Sequence, residues 1–308
     1  MLLAALLLVA AGTTSAQGTC KPGFLNTVFN TGTPKHASWP DPIWSTLTSY
    51  GIQNFITFSL APLPQNPLFD PAPNTPARSN PTLEKARIPI VMDPRDTAAA
   101  QTLLASNNTP PYLELFNEPD YSYGGATPLT DPVAAAQNLS PLVSAPHPHT
   151  TFLSPALANP NDPNWLPTFF DQCPECLSQI DIIAMHIYEP NIDYAIGNIT
   201  ELHDRWGKRI WITEFGPYNG GGSGCTFDQA GVAEYAKTIV PMIDRLGFVE
   251  KIFWNCGDAE VADVCNPSLT EEDGSANAVL EALGGACGFG GKGGSNLTVR
   301  GRGRGRGR

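Results

Sequence analysis

Eight short runs of apolar, β-branched and aromatic residues recur along this chain, separated by segments with helical punctuation, and that alternation leaves few folds open. The runs are 24–28 (FLNTV), 52–58 (IQNFITF), 88–92 (IPIVM), 112–117 (YLELFN), 151–155 (TFLSP), 181–188 (DIIAMHIY), 209–214 (RIWITE) and 250–256 (EKIFWNC). Three of the intervening segments open on the same pair, Asp41-Pro42, Asp131-Pro132 and Asp162-Pro163. An Asp side chain accepts from the free N–H groups of a helix start, and Pro suits the first helical position because its missing donor has no partner there. Gly51, Gly207 and Gly247 fall where these helices would end, in the left-handed conformation that closes a helix. Strands alternating with helices over about 260 residues predict a single (β/α)8 barrel, the TIM-barrel architecture. A doubly wound open sheet would carry a glycine-rich turn after its first strand, and FLNTVFNTG has none.

The ends of the chain differ from its middle. Residues 1–16 (MLLAALLLVAAGTTSA) are an apolar run followed by small residues, with Thr14 and Ala16 suited to the −3 and −1 sites of a signal peptidase. The run is shorter than the ~20 residues a membrane span requires. A secreted or cell-wall location is therefore expected, with a signal peptide at 1–16, a folded barrel body at 17–283 and a disordered Gly/Arg-rich tail at 284–308. Sequons at Asn107, Asn138, Asn198 and Asn296, and seven cysteines, agree with an oxidising route. Cys173-Pro-Glu-Cys176 is too isolated for a zinc ribbon and reads as a structural bridge. Six of the 18 basic residues lie in the tail, so the rest of the chain carries 12 basic against 29 acidic residues, net −17. A body that acidic repels polyphosphates, and nucleic acid is not an expected partner despite the RNA-binding look of the Arg-Gly repeat. A second unusual segment, 60–82, holds seven prolines and follows the second strand. In a barrel it lies on the face where active sites are built.

Function in this architecture sits at the C-terminal ends of strands. The fourth run leads into Asn117-Glu118-Pro119-Asp120, and the seventh ends Thr213-Glu214-Phe215-Gly216. The period of two puts Ile210, Ile212 and Glu214 on one inward face, with Trp211 and Thr213 toward the helices. By the same rule Glu114, Phe116 and Glu118 face inward. A carboxyl as deep as Glu114 needs a buried partner or a proton. Two carboxylates facing each other across a cleft suit glycosidic bond cleavage, one protonating the leaving oxygen and one attacking the anomeric carbon.

NEPD after the fourth strand, HIY (His186 to Tyr188) on the sixth, ITEFG on the seventh and CPEC before the sixth resemble the glycoside hydrolases of clan A, most closely family 128, the fungal β-1,3-glucanases with a compact barrel. The resemblance spans roughly residues 22–283. It implies that Glu118 is the general acid/base and Glu214 the nucleophile, and that Asn117 binds the sugar 2-hydroxyl. It further implies that His186 and Tyr188 orient the carboxylates and the sugar, and that Trp254 forms the platform under the sugar at the cleavage point. Tyr218 and Trp44 are weaker cleft candidates. Retention of anomeric configuration and β-glucan as the polysaccharide substrate follow from the same resemblance. No metal or organic cofactor is expected, and the five histidines show no ligand spacing. A monomer is expected. The first two strands lack the family's aromatic residues, and Phe69 in the proline-rich loop is a possible replacement. A non-catalytic glucan-binding barrel is the competing reading, and an acidic working pH is expected, since Glu118 must hold a proton beside a second carboxylate.

Overall fold

The computed structural model describes residues 20–28, 41–60, 81–122, 127–217, 227–255, 268–271 and 273–289. The expected signal peptide, nearly all of the proline-rich loop with Phe69, Tyr218, and the tail from residue 290 lie outside the described residues.

All eight strand runs form strands, and they close into one parallel barrel in chain order. These are β1 (Leu25–Val28), β2 (Phe55–Thr57), β3 (Arg87–Val91), β4 (Tyr112–Asn117), β5 (Thr151–Ala156), β6 (Ile180–Tyr188), β7 (Arg209–Gly216) and β8 (Val249–Asn255). Closure is direct, since β1 pairs with β8 along its whole length, Leu25 to Ile252 through Val28 to Asn255. The helices are α1 (Asp41–Ser49), α2 (Pro81–Ala86), α3 (Thr97–Leu104), α4 (Pro132–Val143), α5 (Trp165–Gln172), α6 (Pro174–Gln179), α7 (Ile192–Trp206), α8 (Gln229–Arg245) and α9 (Ala278–Ala286). Among the described residues no helix is long and apolar enough to cross a membrane.

Local signals place several of these boundaries. Asp131 caps α4 by accepting from Val133 N, with Pro132 in the first turn, and Gly207 closes α7 at φ +62°. Asp162 instead accepts from Asn164 and Trp165 N in a turn, so α5 begins at Trp165 and not at the Asp-Pro pair. At Gly51 (φ +89°) a Cβ would also stand 2.4 Å from the Phe289 ring, so both conformation and space demand glycine there.

The core has two layers. Val28, Ile56, Ile90, Leu153, Ile182 and Trp211 fill the barrel interior, and a larger apolar shell packs the outer strand faces against the helices. Three expectations about facing are corrected by the structure, the first at Thr213, which was expected to meet the helices and instead donates its hydroxyl inward to Glu114. Trp211 lies inside the barrel, tilted against Tyr112 at 4.6 Å, while Ile210 and Ile212 join the outer shell. Phe116 likewise packs outward, fully buried in the outer shell. The cause lies in register shifts on both strands. Strand β4 breaks register with β5 between Glu114 and Asn117, and β7 breaks register with β8 between Ile212 and Phe215. A bulge inserts one residue and reverses the alternation beyond it. Glu214 therefore reaches the mouth although the strict period from Trp211 would have turned it outward.

Two disulfides are present among the described residues. Cys173–Cys176 bridges the CPEC pair at the start of α6, as expected of a structural bridge. Cys20–Cys287 joins the residues before β1 to the end of α9, across 267 positions. This corrects the expected body limit at 283. Gly284 is buried inside α9, Cys287 is 1% exposed and Phe289 packs on the core, so the folded body continues at least through residue 289.

Candidate active site

The C-terminal ends of β4, β6, β7 and β8 bring together six polar side chains. Glu118 stands one residue beyond β4 with a left-handed backbone (φ +45°), and Phe116 two residues before it is at φ +34°. Such a conformation in a side-chain-bearing residue is strained by roughly 1–3 kcal/mol and persists only where the surroundings fix it. The fixing bonds are present: Glu118 N donates to Ala156 O at 2.7 Å, and Glu118 O accepts from Tyr121 N at 3.1 Å. Asp120 then accepts from Ala158 N and Asn159 N, tying the loop after β4 to the one after β5. Asn117, buried at the end of β4, accepts from Thr127 N through its carbonyl.

His186 is the hub. Its Nδ1 lies 2.8 Å from Glu118 Oε1 and its Nε2 3.7 Å from Glu214 Oε1. Tyr188, two residues along the same inward face of β6, donates from its hydroxyl to Glu214 Oε2. Asn255, the last residue of β8, donates from Nδ2 to the same oxygen at 3.3 Å and also to the Tyr188 hydroxyl. One atom each from Glu118, His186 and Glu214 fall within 4.8 Å of one another. Glu118, His186 and Glu214 are respectively 4%, 1% and 6% exposed, so their charges interact through little water.

Burial alone would drive the His186 imidazole down. The carboxylates of Glu214 and Glu118, together with the hydrogen bond to Glu118, outweigh it and raise His186 to about 9. Burial pushes the Glu214 carboxyl up, opposed by His186 and by the Tyr188 hydrogen bond and reinforced by Glu118. Below this group Glu114 is fully buried, and burial raises its carboxyl to about 8. The same three atoms are near enough together to ligate a cation, which would have to displace the proton that the imidazole holds here.

Of the residues named from sequence, Asn117, Glu118, His186, Tyr188 and Glu214 are brought together. Trp254 is not: it is 1% exposed and packs edge-on to Phe215 at 5.4 Å in the outer shell, so it cannot serve as a sugar platform. Its neighbours Phe253 and Asn255 take the inward positions. Trp44 is likewise part of the outer shell, edge-on to Phe55. Asn255 is the site residue that the sequence reading missed. Its signal was its place at the end of the eighth strand, two residues after inward Phe253.

A closed parallel barrel whose mouth holds two near carboxylates from β4 and β7 has the architecture of barrel glycosidases. The profile of the family described as "Glycosyl hydrolase catalytic core" matches residues 70–283, and the chain belongs to that family. No curated protein matches the chain significantly. Among solved structures, an endo-β-1,3-glucanase of glycoside hydrolase family 128 (subgroup I) from Amycolatopsis mediterranei, in complex with laminaritriose, is 20% identical, with 86% of this chain and 99% of that one covered and a TM-score of 0.62. An exo-β-1,3-glucanase of subgroup V from Cryptococcus neoformans is 20% identical, with coverage of 86% and 99% and a TM-score of 0.60. An oligosaccharide-binding protein of subgroup VII from Trichoderma gamsii is 18% identical, with coverage of 88% and 95% and a TM-score of 0.62. The shared fold is the one that the sequence resemblance implied.

Proposed function

We propose that this protein is a secreted, retaining glycoside hydrolase that cleaves β-1,3-glucan. One observation carries the reading: Glu118 and Glu214, 96 positions apart in sequence, meet at the barrel mouth with His186 between them. In the first step Glu214 attacks the anomeric carbon while Glu118 gives its proton to the departing glycosidic oxygen. The product is a glycosyl ester on Glu214 and a free sugar hydroxyl. In the second step Glu118, now a carboxylate, takes a proton from water, whose oxygen displaces Glu214 and restores the starting configuration. The closeness of the two carboxyls favours this route over inversion, which needs room for a water between the base carboxylate and the anomeric carbon. Tyr188 and Asn255 hold Glu214 Oε2, leaving Oε1 toward His186 and the reacting centre. Asn117, beside the acid, suits the sugar 2-hydroxyl.

The linkage is proposed from the β-1,3-glucanases of like fold, and secretion from the apolar leader and the disulfides. The second reading, a glucan-binding barrel without turnover, has support in the oligosaccharide-binding protein of the same fold. Reducing-sugar release from laminarin by the wild type and by Glu214→Gln separates the two, with the anomer first formed followed by NMR. Release by the wild type alone, with the β-anomer appearing first, is expected. Equal release by both proteins would refute the mechanism. Release by neither, with laminari-oligosaccharides bound by both, would establish the binder.

A further inference from the structure

The mechanism above leaves one buried acid unused. Glu114 projects from β4 into the barrel beneath the site, with no solvent exposure. Its Oε1 accepts from the Thr213 hydroxyl of β7 at 3.4 Å, and its Oε2 has no hydrogen-bond partner among the described residues. Strands β4 and β7 are not neighbours, since β5 and β6 lie between them. The contact is therefore a cross-barrel tie and not part of the sheet. It lands on the residue where β7 breaks register: Thr213 and Glu214 both point inward there, which a regular strand forbids.

Resting on the proposed hydrolase reading, we infer that Glu114 is a positioning residue, an uncharged carboxyl that holds the β7 bulge through Thr213 and so fixes where the Glu214 carboxylate sits. Charge considerations agree. The titratable groups facing Glu114 are Glu214 on β7 and His186 on β6, with Glu118 beyond β4 on its own side, and an ionised Glu114 would stand against the Glu214 carboxylate with one imidazole nearby to offset both. Burial keeps the proton on Glu114 up to about pH 8. Displacing a reacting group by about 1 Å costs up to 100-fold in rate, so a tie one residue from the nucleophile has leverage on turnover.

The test compares Glu114→Gln, Glu114→Leu and Thr213→Val with the wild type on laminarin at pH 5, together with thermal melting from pH 4.5 to 9. Gln keeps an uncharged side chain of the same shape able to accept from Thr213, and kcat is expected to stay within about threefold of wild type. Leu and Val abolish the tie, and kcat is expected to fall at least ~10-fold with KM changed less than about twofold, because the sugar-binding surface is untouched. Wild-type rates in Leu and Val variants that melt normally would overturn the inference. So would a Gln variant as slow as the Leu variant. In melting, the stability of the wild type relative to Glu114→Gln should decline as pH rises from about 4.5 to 8, where the unfolded chain has released this proton and the folded chain has not. Should the wild type fail to hydrolyse laminarin, the hydrolase reading falls on its own, and melting then decides the state of Glu114: a gap that is flat over that pH range would overturn an uncharged carboxyl.

Discussion

Replacing His186 by Gln should remove a definite, pH-dependent share of stability. The imidazole is 1% exposed, touches Glu118 at 2.8 Å and lies 3.7 Å from Glu214. Folding raises it from 6.5 to about 9, which corresponds to roughly 3 kcal/mol. Below pH 6.5 the folded and unfolded chains both carry this proton, and the contribution is complete. Between 6.5 and 9 only the folded chain holds it, so each rise in pH costs stability. Above 9 the contribution is gone. Glu114 titrates over an overlapping range, and its environment responds to the loss of the imidazolium, so the comparison is best made in a Glu114→Gln background. Urea unfolding of Glu114→Gln against Glu114→Gln/His186→Gln at pH 6, 7.5 and 9.5 reads the gap directly. It should be largest at pH 6 and shrink by roughly 3 kcal/mol by pH 9.5. A gap that stays constant, or widens with pH, would refute the picture of His186 as a buried cation held beside Glu118 and Glu214.

Two further outcomes follow from the same geometry. Tyr188→Phe removes the hydroxyl that donates to Glu214 Oε2, a bond to a charged group worth about 1.5–3 kcal/mol. On laminarin kcat/KM should fall about 10- to 100-fold; and because that bond holds the Glu214 carboxyl down, the acid limb of the rate profile should move to higher pH. A profile that drops in height without shifting would count against Glu214 as the group protonated on the acid side. Cys287→Ser opens the link to Cys20 across 267 positions, and the chain-entropy estimate for so long a loop is roughly 5 kcal/mol. Urea unfolding should show most of that loss with activity retained at low temperature, whereas a loss under about 1 kcal/mol would show that α9 docks without the bridge.

The strand count, the order of the strands and the capping of α4 and α7 were legible in the sequence because each depends on neighbours a few residues apart. The two glutamates were legible for the same reason, standing where strand runs give way to polar loops. Asn255 and the fate of Trp254 were not. Adjacent residues at a strand end compete for one inward direction, and only the register of β8 against β1 and β7 chooses between them.

Facing went wrong at Trp211, Thr213 and Phe116 for a related cause. Alternation can be counted along a strand, but a bulge that resets it is created by pairing with another strand far away in sequence. What the amino-acid order alone determined was a ring of eight parallel strands with acids at two of its rims. What the tertiary structure alone decided was which way those acids turn. Their direction depends on strained backbone at Glu118, a bulge at Thr213 and a shared imidazolium, none of which exists until distant segments are packed together.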